Sequence, residues 1–299
     1  MRRILRRLYR AVPLKRQVYG LLRDHVTLPH AIYQHLHFEG PFEVRIDDRH
    51  RFFMEAYDDA LENELFWRGF GGSWEQLSLQ IWATLCDAGK DSIIDIGANT
   101  GVYSLTACAI APQTEVIAFE PLARIAKRLR FNASLNKFRI EVAQLGVSDQ
   151  TGIRTIFDTH GGPNYSASLE EPLANTTSYN IDVTTIDDYV AGSTVKRPIG
   201  LVKIDVEKHE PAVIRGMGQI IEADRPTLLI EILNRQIGDE ISALVEGRHY
   251  RFFRIDEETG LVETRQLGHT GARNWNHLLC THEKFEAAGL QRFVVAGQA

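Results

Sequence analysis

An α/β fold with a mostly parallel sheet and helices on both faces is what this sequence predicts, and three observations carry that reading. From residue 92 onward, strand-like apolar runs alternate with helical spacing, the rhythm of repeated βα units. The first run, Ser92-Ile93-Ile94, enters Asp95-Ile96-Gly97-Ala98-Asn99-Thr100-Gly101, a turn with glycines at both ends, and Val102 to Ala107 then reads as a helix. The 299 residues are 44% hydrophobic and 24% charged, the balance of an ordinary globular protein with enough chain for one large domain plus additions.

The chain opens on a basic arm. Arg2, Arg3, Arg6, Arg7, Arg10, Lys15, Arg16 and Arg23 give the first 23 residues a charge of +8 with no acid; against a net −5, the rest carries −13. Ile4, Leu5, Leu8 and Val12 are spaced against those arginines as on an amphipathic helix. Such a helix is suited to an anionic membrane surface or to packing on the body, and both readings stay open. Pro13 and Pro29 divide this region. Phe42 to Ile46 and Arg51 to Tyr57, around Asp47-Asp48, predict a hairpin. Trp74 to Cys86 predicts a helix leading into the core.

Strands are expected at 92–97, 115–120 and 140–147, with helices near 102–111 and 122–136. Extra strands, 152–157 and 181–186, flank a polar stretch from His160 to Asn180. The βα rhythm resumes with a strand at 200–206 and a helix over 211–223, opened by Pro211. A strand at 227–233, a helix at 236–246 and strands at 250–255 and 276–280 complete it. Cys86, Cys108 and Cys280 are scattered, which points to a reducing, cytoplasmic setting without structural zinc. No stretch has the roughly 20 apolar residues of a membrane span, and no signal peptide is visible. The mild net charge does not suggest a nucleic-acid partner.

The chemistry begins at the glycine turn. Its glycines let backbone approach a ligand, and the following helix offers unpaired N–H groups. Asp95 beside the turn would repel a pyrophosphate but welcome an ammonium or hydroxyl, which favours S-adenosylmethionine over a dinucleotide. Glu120 ends Val116-Ile117-Ala118-Phe119, where an acid can accept from both ribose hydroxyls. A helix-cap role for Asp95 and a surface role for Glu120 are the alternatives. Lys203, Asp205 and Glu207 alternate, so their side chains leave the strand on one side. Three charges there call for pairing, such as a Lys203–Asp205 ion pair, or for function.

Asp95-Ile-Gly-Ala-Asn-Thr-Gly-Val-Tyr-Ser104 with Phe119-Glu120-Pro121 resembles the FkbM family of methyltransferases. Thr185-Ile-Asp187-Asp188-Tyr189, Lys203 to Glu210, and Glu231 between Ile230 and Ile232 extend the resemblance over roughly residues 72–235, with a weaker match near Asn276-His277-Leu278. Lys208 departs from it, standing where family members often carry glycine or another small residue. The resemblance implies a class I methyltransferase (Rossmann-like) sheet with an antiparallel strand. The expected domain division is an N-terminal extension over 1–72, comprising the basic helix and hairpin, and a methyltransferase domain over 73–299 with an inserted loop at about 158–180. The resemblance also implies S-adenosylmethionine as cofactor. Carried over by position, Asp95, Gly97, Asn99 and Gly101 surround the methionine end, Glu120 holds the ribose, and Asp149 accepts from the adenine amino group or serves the turn before Gly152. Glu75 is weighed as a cover for the cofactor and as a solvent-exposed helix residue, the second being favoured.

Asp205, Glu207 and His209 are the candidates for catalysis, His209 having the intrinsic pKa nearest neutrality; a place at the opening of the next helix is its alternative. No metal ligand set is expected. The expected reaction is O-methylation, most readily of a sugar hydroxyl in a glycan or glycolipid, with Asn164, Tyr165, Ser166 and Ser168 of the insert near the acceptor. A macrolide-type metabolite is the alternative acceptor. A nicotinamide-dependent oxidoreductase, which would prefer GxGxxG at the first turn, and a non-catalytic nucleotide-binding protein are the rival classes. The expected setting is cytoplasmic, with peripheral contact at the inner face of the membrane through residues 1–23.

Overall fold

The computed structural model describes residues 14–57, 59–72, 75–159, 167–169, 176–268 and 275–295. Two helices, α1 (Lys15–His25) and α2 (His30–Tyr33), precede a hairpin of β1 (Gly40–Arg45) and β2 (Arg51–Ala56). Then come α3 (Ala60–Arg68), α4 (Gln76–Ala88), β3 (Ser92–Ile96), α5 (Val102–Ile110), β4 (Val116–Phe119), α6 (Ala123–Asn136) and β5 (Ile140–Ala143). The insert holds β6 (Gly146–Val147), β7 (Gly152–Thr159), β8 (Ala167–Ser168) and β9 (Thr176–Thr184). The core continues with α7 (Ile186–Ala191), β10 (Ile199–Ile204), α8 (Glu210–Arg215), α9 (Gly218–Asp224), β11 (Thr227–Glu231), α10 (Arg235–Leu244), β12 (Tyr250–Asp256), β13 (Gly260–Thr264), β14 (Asn276–Thr281) and α11 (His282–Ala287).

Eight strands form the main sheet in the order β13-β12-β14-β11-β10-β3-β4-β5. The run from β11 to β5 is parallel, and β14 enters antiparallel between β11 and β12. Period-two alternation explains the two apolar layers. Ile93, Leu201, Leu229 and Leu278 face one core with α4, α5 and the hairpin residues Phe42, Val44, Phe52 and Met54. Ile94, Ile96, Val202, Ile204, Leu228 and Ile230 face the other, against α7 to α10. Asp95 and Lys203 are register partners on adjacent strands, so both charges fall on the first face. The chain runs outward from β3 through β4 and β5, then returns to β10 on the other side of β3. That reversal opens a crevice at the strands' carboxyl ends.

Three expected elements differ. The strand expected over 140–147 divides: β5 ends in the main sheet, and β6 pairs with β9 in a separate four-stranded sheet. Part of the expected polar loop is strand, since β9 runs antiparallel to β7 from Thr176 onward. The helix expected over 211–223 breaks at Gly216-Met217, where the chain passes so close to the Ser148 carbonyl oxygen that a Cβ on Gly216 would lie 2.1 Å from it. The helix α3, the edge strand β13 and the terminal α11 were not anticipated. Residues 1–13 of the basic arm, Ser73-Trp74 and Asn164 to Ser166 lie outside the described residues.

Candidate active site

A cavity of about 920 Å³ opens at the switch point between β3 and β10, near the upper end of the range of small-molecule sites. Asp95, Gly97, Asn99, Glu120, Asp205 and Glu207 all line it. Gly97 explains how the two halves meet: its φ is +78°, and a Cβ there would stand 1.8 Å from the Asp205 carbonyl oxygen. The Asp205 amide donates to the Ile96 carbonyl at 3.0 Å, locking the two turns together. Gly101, at φ +100°, is required for packing instead, since a Cβ would press to 3.1 Å on Leu129, and it does not line the cavity.

Glu120 stands at the tip of β4. Its Oε2 accepts from the Asn99 amide at 3.1 Å and its Oε1 from the Leu122 amide at 2.9 Å. Burial pushes its pKa up to about 7, with those two amides opposing the rise. Asp95, 1% exposed, accepts at 2.6 Å from the Ser104 hydroxyl, so it also pins the first turn of α5; burial raises its pKa to about 6.

Lys203 is the hub of the other half. Its Nζ is 3.2 Å from Asp205 Oδ2 and 4.9 Å from the centre of the Tyr103 ring. Burial pulls its pKa down, yet Asp205, Glu75, Glu231 and Asp95 outweigh that and hold it above the usual lysine value. Glu75, favoured from sequence as an exposed residue, is buried: it accepts from Tyr103 Oη at 2.8 Å and Asn276 Nδ2 at 2.9 Å and lines the cavity. Glu231, at the tip of β11, is a second lining acid with no role assigned from sequence. Burial raises its pKa well above the carboxylate range, and Asp205 adds to the rise while Lys203 counters it. A strand-end position was the available signal for Glu231; for Glu75 the resemblance offered a place over the cofactor, but its burial was not legible, because its partners lie 28 and 201 residues away.

Besides Gly101, two candidates sit apart from the cavity lining. His209, 5% exposed, places Nε2 3.0 Å from the Ser148 hydroxyl and starts α8. Asp149 turns to Arg154 at 3.0 Å and Arg215 at 3.7 Å. The loop between β10 and α8 has an uncommon shape. Glu207 and Lys208 take φ of +54° and +81° in succession, and the Val206 and Lys208 amides donate to Glu210 Oε1 at 3.2 and 3.1 Å. Left-handed backbone at Lys208 is what a glycine would adopt at no cost, so the lysine holds a strained conformation there.

Twelve carboxylates line the cavity against three lysine and arginine side chains. Some are neutralised locally, as Asp158 is by Arg124 at 2.7 Å. The remaining excess suits a cationic ligand. Among the described residues no group of three His, Cys, Asp or Glu is arranged to hold a metal ion.

Residues 95–252 match the family described as the methyltransferase FkbM domain. The chain is 27% identical over 216 residues to 31-O-demethyl-FK506 methyltransferase FkbM of Streptomyces tacrolimicus, covering 61% of this chain and 80% of that one. It is 27% identical over 139 residues to hexuronic acid methyltransferase AglP of Haloferax volcanii, covering 46% and 54%. Over 180 residues it is 29% identical to the AMB antimetabolite synthetase AmbE of Pseudomonas aeruginosa, covering 49% of this chain and 8% of that one. It therefore spans less than two thirds of AglP and a small part of AmbE. Among solved structures, a methyltransferase FkbM from Methylobacillus flagellatus KT superposes with a TM-score of 0.42 at 18% identity, over 64% of this chain and 43% of that one.

Proposed function

The chain belongs to the methyltransferase FkbM domain family, whose methyl donor is S-adenosylmethionine, and from that premise we propose that it methylates a hydroxyl of an uncharged polyol, a sugar unit above all. The observation that carries the acceptor chemistry is the acid-rich cavity. An anionic acceptor would meet Glu75, Asp205 and Glu207 at once, whereas a neutral polyol finds hydrogen-bond acceptors.

The residues present fit the donor. Glu120 offers a carboxylate, oriented by two amides, to a ribose diol, and the Asp95–Gly97 turn opens onto the same cavity. When bound, the cofactor supplies a methyl group already activated on a sulfonium. The protein therefore has to place the acceptor oxygen in line and take its proton. Asp205 is the proposed base: it lines the cavity, and Lys203 Nζ holds one of its oxygens at 3.2 Å. His209 is proposed as a positioning residue for the loop that carries Asp205, through its contact with Ser148. Transfer of labelled methyl to neutral glycosides tests the reading. Asp205→Asn should lower kcat by about 10²–10⁴-fold while S-adenosylhomocysteine affinity stays within a few-fold; unchanged kcat removes Asp205 from the role, and faster transfer to a hexuronic acid than to its neutral counterpart removes the acceptor assignment.

A peripheral contact with an anionic lipid surface is proposed for α1. Arg16 donates to the Pro41 carbonyl at 3.2 Å, Tyr19 packs on Trp67 with ring centres 5.5 Å apart, and Arg23 donates to the Phe66 carbonyl at 3.2 Å, so this face holds the helix to the body. Leu14, Val18 and Leu21 then point outward, 64%, 56% and 66% exposed. An apolar stripe on the outer side of a helix that follows the five arginines of residues 1–10 is complementary to an anionic bilayer. No helix among the described residues is long and apolar enough to cross a membrane. Flotation with phosphatidylglycerol vesicles should capture the protein, and V18E/L21E should abolish capture with the melting temperature kept; capture undiminished by the double substitution refutes the contact.

A further inference from the structure

Glu62 of α3 lies ahead of the residues matched to the family, yet it lines the cavity together with Asn99 and Glu120. It is 1% exposed, and neither carboxylate oxygen has a hydrogen-bond partner, a situation no other buried carboxylate among the described residues shares. The Thr100 hydroxyl beside it is also without a partner; it partly offsets the effect of burial on Glu62 without reaching hydrogen-bond geometry. The nearest cation, Arg128, is already committed: it donates to Asp59 at 2.6 Å and lies 4.4 Å from the centre of the Tyr57 ring. A buried, unpartnered carboxylate facing a ligand cavity is costly unless the ligand brings the missing donors.

Glu120 already stands ready for ribose hydroxyls, and a sulfonium has no N–H to donate. The group on S-adenosylmethionine that matches Glu62 is the α-ammonium of its amino-acid tail, with three donors and a full charge. We propose that Glu62, with Thr100 beside it, forms the subsite for the α-ammonium of the cofactor, so that a helix outside the matched domain completes the donor half of the site. This rests on the reading of the cavity as a methyl-donor site.

Two nucleosides separate the possibilities. S-adenosylhomocysteine carries the amino-acid tail, and 5′-methylthioadenosine lacks it. In calorimetric titrations of the full chain, Glu62→Gln should weaken S-adenosylhomocysteine at least tenfold and leave 5′-methylthioadenosine within twofold of the unsubstituted protein. Retained binding of 5′-methylthioadenosine also shows that the variant is folded. Equal affinity of both proteins for S-adenosylhomocysteine overturns the proposal, and equal loss for both nucleosides reduces Glu62 to a structural role and overturns it as well. Failure of the unsubstituted protein to bind either nucleoside would instead overturn the donor-site reading on which the proposal depends.

Discussion

Lys203 shows how one residue sets the balance of the site. It is 1% exposed, and its charge is shared among Asp205, Glu75, Glu231 and Asp95. Lys203→Met keeps much of the volume but leaves those acids without their cation. Removing one partner of a buried pair typically costs about 3–5 kcal/mol, and since Asp205 is about a third exposed (34%), a loss of ~3 kcal/mol at pH 8 is the expectation here. The loss should shrink at pH 6, where the orphaned carboxyls take up protons. Urea unfolding at the two pH values checks this, and equal losses would show that Lys203 contributes packing and not charge. The alternation Lys203, Asp205, Glu207 was legible in the sequence because a strand's period is two. The burial of Glu75 and the turn of His209 toward Ser148 were not, because their partners arrive from 28, 201 and 61 residues away.

At the scale of elements, local pattern and local structure agree wherever a segment makes its own case. The strands β3, β4, β10 and β11 are mostly apolar segments buried on both faces, and a sequence announces these plainly. The departures occur where a distant backbone decides. Gly216 ends α8 because the Ser148 carbonyl occupies the space a side chain would need, and Gly97 yields the same kind of room to Asp205. From sequence, Gly97 reads as a glycine opened for a ligand; in the structure its lack of a Cβ lets the turn after β3 and the loop after β10 touch. The helix α3 is not legible because its apolar residues serve a pocket wall and a hairpin, not one clean stripe. The same mixed pattern hides Glu62.

For the whole molecule, the buried acids of the cavity and of the loop between β10 and α8 make stability depend on pH in a direction opposite to that of a protein held by surface carboxylates. Asp95 is raised to about 6, and Glu62, Glu120, Glu210 and Glu257 each to about 7, in every case chiefly by burial. Between their ordinary values and these, the folded chain holds more protons than the unfolded one, so stability falls as pH rises through that window. Asp47, lowered to about 2 by His50, and the lowered Asp149, Asp256 and Glu263 act oppositely, but in more acidic solution. A tenfold change in one group's proton affinity on folding corresponds to about 1.4 kcal/mol, and neighbouring acids do not add independently. The ligand-free protein should therefore melt several degrees higher at pH 5.5 than at pH 8. S-adenosylmethionine carries a net positive charge that S-adenosylhomocysteine lacks, so at saturation the donor should flatten this slope more than the product does. A donor favoured by the cavity's charge and a product that is not would also ease product release after each transfer. Thermal scans at the two pH values, free and with each nucleoside, decide the matter: a ligand-free melting temperature that rises from pH 5.5 to 8 would mean that the cavity acids are already ionised and paired.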